Sequence, residues 1–289
     1  MAFTRGLSPC QCRHLGQTAG VGAGTDRLTG ELMTHLPRSG SRLACYLINL
    51  ERAVDRRALM AGRLRAIGLD HEVVKAVDGK LLRFPIPEFS ELSFKLLHGR
   101  RIIPAEVGCY LSHIECAKQF LQSDADYALI LEDDVSFADD FLEAVDLACA
   151  QNRYWDVLRL TTVNREGGVR FRKLSDTRSL AVALTRKKGA GAYIVNRRAA
   201  AWMIETLLPM RLSYDIAFDL EYLSGLKACF ILPQPASQLT EMETQIQINI
   251  GSYKLPRYRY FTVLPYRAFL ETARVLVRGF NLGRALLRL

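Results

Sequence analysis

A run of three carboxylates after an apolar segment is the part of this sequence best suited to chemistry. Residues 127–131 (YALIL) are short and apolar, as in a buried strand of an α/β sheet. Glu132, Asp133 and Asp134 follow directly, and open α/β sheets bind ligands at the carboxyl ends of their strands. Such close like charges require a cation, hydrogen-bond donors or raised pKa values. A divalent cation bridging to a phosphate would satisfy them; the alternative is an acidic turn in solvent.

Composition describes a soluble globular protein that favours anionic partners. The 289 residues are 49% apolar and 24% charged, with a formal net charge of +9. That charge attracts nucleotides, phosphorylated lipids, membrane surfaces or nucleic acid. No nucleic-acid-binding motif accompanies it, so we expect no nucleic acid among the partners.

The cysteines indicate a reducing compartment. Seven of them stand at the scattered positions 10, 12, 45, 109, 116, 149 and 229. We therefore expect reduced thiols in a cytoplasmic protein. Cys109, His113 and Cys116 form a loose cluster, which indicates core packing because no second cysteine pair completes a zinc site. Apolar runs are too short to predict a signal peptide or a transmembrane helix.

Alternating strand and helix patterns predict one α/β domain over residues 42–240. It opens with a βαβ unit, a strand at 43–50, a helix at 56–67 and a strand at 71–77, so the first pair is parallel. Further strands are predicted at 127–131, 155–160, 189–195 and 228–232. Further helices are predicted at 105–122, 141–150 and 196–208, with another from Tyr214. Small residues at 189–191 indicate a close approach by another part of the chain.

Three segments depart from this alternation. Residues 1–41 are rich in Gly, Ser, Thr and Arg and are expected to be a disordered extension. Residues 80–104 contain three prolines and are expected to form a loop over a site. Residues 241–289 are expected to form a basic amphipathic C-terminal segment, with Arg274 and Arg278 on its polar stripe. Such a helix binds an anionic membrane surface, or else it packs on the domain with its arginines in solvent.

Four blocks of this sequence resemble glycosyltransferase family 25, the lipooligosaccharide-type glycosyltransferases. They are YLINLERAVDRR at 46–57, AVDG at 76–79, AEVGCYLSH at 105–113 leading to YALILEDDV at 127–135, and GAGAYIVNRRAA at 189–200 followed by Tyr214-Asp215. Their order and spacing fit over roughly residues 43–240. The family's third block usually begins with Gly, where this chain has Ala105.

The resemblance implies a GT-A-like, Rossmann-related nucleotide-sugar-binding domain with a mixed sheet. It implies transfer of a sugar, often galactose, from a UDP-sugar donor, with inversion at the anomeric carbon. We expect a lipooligosaccharide or other lipid-linked surface glycan as acceptor, and Mn²⁺ or Mg²⁺ as cofactor. The protein would be cytoplasmic, and its basic end would hold it at the inner face of the cytoplasmic membrane.

For this reaction, a cation held by carboxylates would stabilise the charge on the leaving UDP. Asp134 is the expected ligand, with Glu132 next, because alternate residues of a continuing strand share a face. Asp133 would then point towards the ribose or a backbone donor. If the chain turns at the cluster, the metal-binding and ribose-contacting roles of these carboxylates could be exchanged. The general base required for inversion is expected to be Asp215, with Asp219 behind it. The catalytic candidates are thus Asp215 and Asp133, unless Asp215 is a helix N-cap.

The first strand and its turn are expected to hold the donor nucleotide. Asn49 would face the uracil or ribose, and Arg52, Arg56 and Arg57 would meet phosphate unless solvent surrounds them. Asp78 either contacts a ribose hydroxyl or belongs to a plain Asp-Gly turn.

Two neighbouring residues of the predicted helix 105–122 complete the donor-binding set. Ser112 and His113 would contact the donor, and a histidine that packs the helix is the alternative. A different class, a dinucleotide-dependent oxidoreductase, is disfavoured because no G-x-G-x-x-G follows the first strand. A catalytically silent relative that binds nucleotide sugars or membranes remains the alternative function.

Overall fold

The computed structural model describes residues 33–163, 167–238 and 250–287. The strands are β1 (Met33–Leu36), β2 (Ser41–Asn49), β3 (Glu72–Lys75), β4 (Tyr127–Glu132), β5 (Val135–Phe137), β6 (Val157–Arg159), β7 (Val169–Lys173), β8 (Ser179–Val182), β9 (Ala192–Asn196), β10 (Ala228–Leu232) and β11 (Ala236–Gln238). The helices are α1 (Val54–Ala66), α2 (Glu91–His98), α3 (Pro104–Gln122), α4 (Phe141–Cys149), α5 (Arg197–Thr206), α6 (Tyr214–Ala217) and α7 (Tyr260–Leu287).

Nine of these strands form one mixed sheet. Its order is β1-β2-β4-β9-β6-β10-β8-β7, and β3 lies beside the second half of β2. β2 runs parallel to β3 and β4, whereas β9 runs antiparallel to β4 and β6. β5 and β11 pair separately as an antiparallel ribbon. The predicted α/β fold with a mixed sheet and a helical C-terminal segment is confirmed.

Helices cover both faces of the sheet because its central strands are apolar at successive positions. Neighbouring residues of β2, such as Leu47 and Ile48, enter opposite cores. α3 and α5 contribute to one core, and α1 and α4 to the other. Strands buried on both faces have this continuous apolar pattern, and the carboxyl end of β4 is left as the edge where polar residues gather.

The N-terminal boundary differs from the expectation. Met33–Leu36 pairs antiparallel with the first half of β2, from Met33 opposite Ala44 to Leu36 opposite Ser41. Leu36 is buried in the core. The segment 1–41, expected to be disordered, therefore ends in a strand, and residues 1–32 lie outside the described residues.

Two other departures are short elements. The expected loop 80–104 contains helix α2, whose Phe94 is buried against Phe89. The hairpin of β7 and β8 extends the sheet beyond β10. Neither was predicted, because each is brief and one side of each faces solvent.

Helix α7 is present as predicted, but its orientation is not. Arg274 and Arg278 are buried instead of lying on an outward polar stripe. Both pair with Asp219, and Arg278 also pairs with Glu221. The expectation that these two arginines face lipid or solvent is wrong, because two buried carboxylates draw that side of the helix inward.

Candidate active site

The three carboxylates stand where the chain reverses direction. Glu132 is the last residue of β4, and Asp133 and Asp134 form a turn into β5. The strand does not continue through the cluster, so the simple alternation of faces does not apply. Each carboxylate consequently has its own surroundings.

Asp133 binds the residues expected to hold the nucleotide. Asn49 Nδ2 donates to Asp133 Oδ2 at 2.6 Å, and Arg56 Nη1 lies 3.1 Å from Asp133 Oδ1. These contacts form because β2 and β4 are parallel neighbours with their carboxyl ends at the same edge. Burial raises the pKa of Asp133, and Arg56 and Asn49 offset part of that rise. The structure therefore brings three predicted site residues together.

Asp134 has the poorest surroundings for a negative charge. Its Oδ1 is buried and accepts no hydrogen bond from any described residue. Burial, followed by the charges of Glu132 and Asp133, raises its pKa to about 6. A buried carboxylate oxygen without a donor, beside two other acids, fits a cation-binding position.

Glu132 is held by side chains from two other elements. Gln238 Nε2, at the end of β11, donates to Glu132 Oε2 at 3.0 Å. His113 Nε2 lies 3.3 Å from Glu132 Oε1. Because carboxylate oxygens accept hydrogen bonds, Nε2 of His113 is the donor in this contact.

A chain of hydrogen bonds continues from the other nitrogen of the His113 ring. His113 Nδ1 lies 2.9 Å from the Tyr193 hydroxyl, and that hydroxyl lies 2.8 Å from the Tyr214 hydroxyl. The Tyr214 ring also stacks on His113 at 4.0 Å. His113 is fully buried, so its geometry suits orienting Glu132 and not direct contact with a donor.

Glu132 belongs to two alternative groups of residues that could bind a metal ion. Ligand atoms of Cys109, His113 and Glu132 lie within 4.8 Å of one another. Burial first, and then the nearby carboxylates, raise the pKa of the Cys109 thiol well above its ordinary value, so the sulfur stays protonated and is a poor ligand. The carboxylates of Glu132 and Asp134 are the set that fits a hard cation.

Asp215 lies in the same region as the acid cluster. Its charge, with those of Glu132 and Asp134, contributes to the raised pKa of Cys109. Ser213 Oγ donates to Asp215 Oδ1 at 2.7 Å, and Ser213 is the N-cap of α6. The N-cap alternative for Asp215 is therefore wrong.

Three other predicted residues have structural contacts. Asp219 is fully buried between arginines, so it does not stand behind Asp215 as a second base. Ser112 Oγ accepts from Val77 N at 2.8 Å, within the packing of α3 against the end of β3. Asp78 accepts from Lys80 N at 3.1 Å and pairs with Arg52, which is the geometry of the plain turn.

Gln238 is the site residue that sequence analysis missed. A Cβ atom at Gly191 would lie 2.5 Å from Gln238 Cδ, so the small residues at 189–191 do mark a close approach, as predicted. The approaching residue lies more than a hundred positions from Glu132. The sequence therefore contained a signal for the approach but none for its identity.

A cavity of about 220 Å³ lies away from the carboxylates. It is lined by the start of β10, by the segment before β6 and by the last turns of α7. These residues lie at the edge of the sheet opposite the carboxyl end of β6. The cavity is therefore separate from the candidate active site.

The architecture and the carboxylate cluster indicate an enzyme that acts at the carboxyl edge of an α/β sheet. A family model described as "Glycosyltransferase family 25 (LPS biosynthesis protein)" matches residues 43–218. The match spans more than half of the chain, and the protein belongs to this family of glycosyltransferases.

Curated relatives carry related names. Human procollagen galactosyltransferase 2 is 33% identical over 103 residues, which cover 33% of this chain and 16% of the relative. A glycosyltransferase 25 family member of Drosophila pseudoobscura pseudoobscura is 36% identical over 99 residues, 32% of this chain and 16% of the relative. A probable inactive glycosyltransferase 25 family member 3 of Rattus norvegicus is 31% identical over 126 residues, 40% of this chain and 22% of the relative. The chain thus matches only a small part of the length of each relative.

Solved structures resemble the fold only loosely. A Drosophila β-1,4-galactosyltransferase 7 mutant in complex with manganese, UDP-Gal and xylobiose has a TM-score of 0.37 and 13% identity, covering 76% of this chain and 79% of that one. An inositol-1-phosphate CTP transferase from T. maritima has a TM-score of 0.35 and 10% identity, covering 76% and 77%. Nothing about site or substrate follows from similarities this low.

Proposed function

We propose that this glycosyltransferase moves galactose from a UDP-sugar to a lipooligosaccharide or another surface glycan, with inversion. The observation that carries the proposal is the buried, unpartnered Oδ1 of Asp134 in a cluster of three carboxylates. The galactosyltransferase names of the relatives support the sugar, and the family's description as an LPS biosynthesis protein supports the acceptor class.

Asp134 and Glu132 are the proposed ligands of the cation, Mn²⁺ or Mg²⁺. When bound, the cation would supply positive charge beside the diphosphate of the donor. His113 and Gln238 hold the two oxygens of Glu132 in place, as the outer partners of metal-binding carboxylates do.

Asn49, Arg56 and Asp133 are the proposed nucleotide contacts. Asp133 holds the amide of Asn49 and the guanidinium of Arg56 at the edge of the sheet. Asn49 suits an amide contact to the uracil or ribose, and Arg56 suits the phosphates. Asp133 then acts by positioning these two residues.

Asp215 is the proposed general base. The acceptor hydroxyl oxygen forms a bond to the anomeric carbon while its proton moves to the Asp215 carboxylate. The bond between the anomeric carbon and the phosphate oxygen breaks, and UDP leaves with the electron pair. The Ser213 hydrogen bond orients Asp215 through Oδ1 and leaves Oδ2 for the acceptor.

The test is UDP release from a panel of UDP-sugars with lipooligosaccharide core or procollagen peptide as acceptor, with and without Mn²⁺. We expect metal-dependent turnover of UDP-galactose with the lipooligosaccharide core. Asp134→Ala should reduce it on the order of a hundredfold or more, because it removes a ligand that stabilises developing charge.

Asp176→Ala is the matched control, since this carboxylate is 97% exposed and pairs only with Lys173 in the described structure. It should turn over like the wild type. UDP binding that requires Mn²⁺ but gives no turnover with any acceptor would instead identify a silent nucleotide-sugar-binding protein. Turnover that Asp134→Ala leaves intact would refute the metal site.

A further inference from the structure

Helix α7 turns its charged side inward and its apolar side outward. Arg274 and Arg278 on its buried side are 0% and 3% exposed. The exposed large apolar residues on its other side are Phe261, Leu264, Phe269, Val275, Leu276, Phe280, Leu286 and Leu287. Since an α-helix has 3.6 residues per turn, these positions share one side of it. We call this side the apolar face of α7.

Buried ion pairs fix the rotation of the helix. Arg278 Nη2 lies 3.0 Å from Asp219 Oδ1 and 2.8 Å from Glu221, and Arg278 Nη1 donates to the carbonyl of Ala183 at 3.0 Å. Arg274 Nη2 lies 3.1 Å from Asp219 Oδ2. Turning the helix to bury its apolar face would separate these charges from their partners. The buried ion pairs of Arg274 and Arg278 therefore keep the apolar face exposed.

Positive charge lies at both ends of the apolar face. Arg257 and Arg267 are exposed near the first turns, and Arg284 is exposed near the last. Glu271 is the one acid in the sequence of α7, and it pairs with Arg274. Apolar residues flanked by arginines are typical of helices that lie in the surface of an anionic bilayer.

The cavity beside the last turns of α7 adds to this charge. Arg284 lines it together with Arg153 and Lys227. Its remaining lining is largely apolar, including Phe171 and Leu282. The C-terminal end of the apolar face therefore adjoins a second surface that combines apolar and basic groups.

We propose that α7 binds the surface of an anionic lipid bilayer through its apolar face, with the helix lying in the plane of the membrane. No described helix is long and apolar enough to cross a membrane. The 28 residues of α7 give a contact about 42 Å long.

A second copy of the chain suits this face less well than lipid does. Two apolar faces in contact would bring their arginine-bearing ends together, and Glu271 would be the one carboxylate on each helix to meet them. Lipid phosphates provide anions for these arginines, whereas a second α7 provides one glutamate. Charge complementarity thus selects the bilayer.

The start of α7 and the segment before it pack against α2 and its C-terminal glycine. Thr262 Oγ1 donates to the carbonyl of Leu96 in α2 at 2.7 Å, and Leu255 N donates to the carbonyl of Gly99 at 3.0 Å. A bilayer on this face would hold the protein at the surface that carries lipid-linked acceptors; this last step rests on the proposed function, whereas lipid binding does not.

The test is sedimentation of the full chain with vesicles of phosphatidylcholine alone or mixed with phosphatidylglycerol. The wild type should bind the mixed vesicles, and the triple variant Phe269→Gln/Leu276→Gln/Phe280→Gln should bind at least about tenfold more weakly because three apolar contacts are lost. The matched control is Val54→Gln/Leu59→Gln/Val73→Gln, which changes exposed apolar residues elsewhere and should bind like the wild type.

A second variant separates charge from apolar contact. Arg267→Gln/Arg284→Gln should weaken binding to the mixed vesicles and leave binding to phosphatidylcholine unchanged. Equal binding by the triple variant and the wild type would overturn the proposal, as would failure of the wild type to bind either vesicle. A wild-type dimer in light scattering that the triple variant converts to a monomer would assign the apolar face to a second copy instead.

Discussion

At the scale of single residues, Asp134 is the carboxyl group of the site whose negative charge most destabilises the folded protein. Asp134 is part-buried with an unpartnered oxygen beside Glu132 and Asp133. Its pKa is raised from the ordinary 3.8 to about 6. The folded protein therefore binds a proton at Asp134 more tightly than the unfolded chain does. The resulting stabilisation is present below pH 3.8 and is lost as the pH rises through about 6.

Asp134→Asn should make the metal-free protein more stable at pH 8. The neutral amide avoids the penalty on the charged carboxylate, so the free energy of unfolding should increase by about 1–2 kcal/mol. At low pH the wild-type carboxyl is protonated and the difference should vanish. Urea unfolding with EDTA at both pH values measures this.

Asp176→Asn serves as the control, because the ordinary charge of this exposed residue is favoured by Lys173. It should bring no gain at pH 8. Mn²⁺ should stabilise the wild type more than Asp134→Asn, since only the wild type retains the ligand. A gain in stability that is the same at both pH values would contradict this account of Asp134.

At the scale of elements, two glycines let the end of β3 pack closely on α3. A Cβ atom at Gly108 in α3 would lie 2.6 Å from the backbone nitrogen of Gly79. Ser112, one turn further along α3, accepts from the backbone of Val77. The AVDG block (76–79) and the AEVG block (105–108) therefore contact each other. The contact involves backbone atoms, whose displacement would disturb the surrounding structure.

Gly108→Ala should lower the free energy of unfolding by about 2–3 kcal/mol, because the added methyl group overpacks a backbone contact. Gly62→Ala in α1 is the matched control, since a Cβ there meets nothing within 4 Å. It should raise stability by about 0.5–1 kcal/mol through the better helix propensity of alanine. Chemical denaturation of both variants measures the contrast, and two changes of the same sign would show that the packing is looser than described.

The elements that could be predicted from sequence are those whose signal is local. The strand 228–232 and the strand after Tyr127 are apolar runs, and both are found at the predicted places. α2 and the β7–β8 hairpin could not be predicted, since both are short and one side of each faces solvent. The site followed the same rule. The acid cluster is contiguous, whereas the contact of Asn49 with Asp133 spans 84 positions and that of Gln238 with Glu132 spans 106.

At the scale of the whole molecule, buried charges connect the C-terminal helix to the sheet. Asp219 is surrounded by Arg159 from β6 and by Arg274 and Arg278 from α7. Glu221 completes the group. The sequence predicted the helix but placed its arginines outside, because their partners lie more than fifty residues upstream. The pattern of apolar and charged positions in a helix does not show which of its sides will pair with carboxylates elsewhere in the chain.

Arg278→Gln should lower the free energy of unfolding by about 3–5 kcal/mol, because it leaves buried carboxylates without their counter-ion. Arg284→Gln, an exposed arginine on the same helix, should change stability by less than about 0.5 kcal/mol. Thermal and urea unfolding of the two variants test this. Similar small losses for both would mean that α7 is not anchored through its arginines.

The short strand β1 sets how many N-terminal residues can be deleted before the protein is expected to aggregate. It is the only described partner for the first half of β2 on that side, and it carries Leu36 into the core. A polypeptide that begins at Met33 keeps this cover. One that begins at Ser41 presents an unpaired strand edge, and unpaired edges join to one another. The shorter polypeptide is therefore expected to form inclusion bodies on expression, whereas the longer one is expected to remain in the soluble fraction.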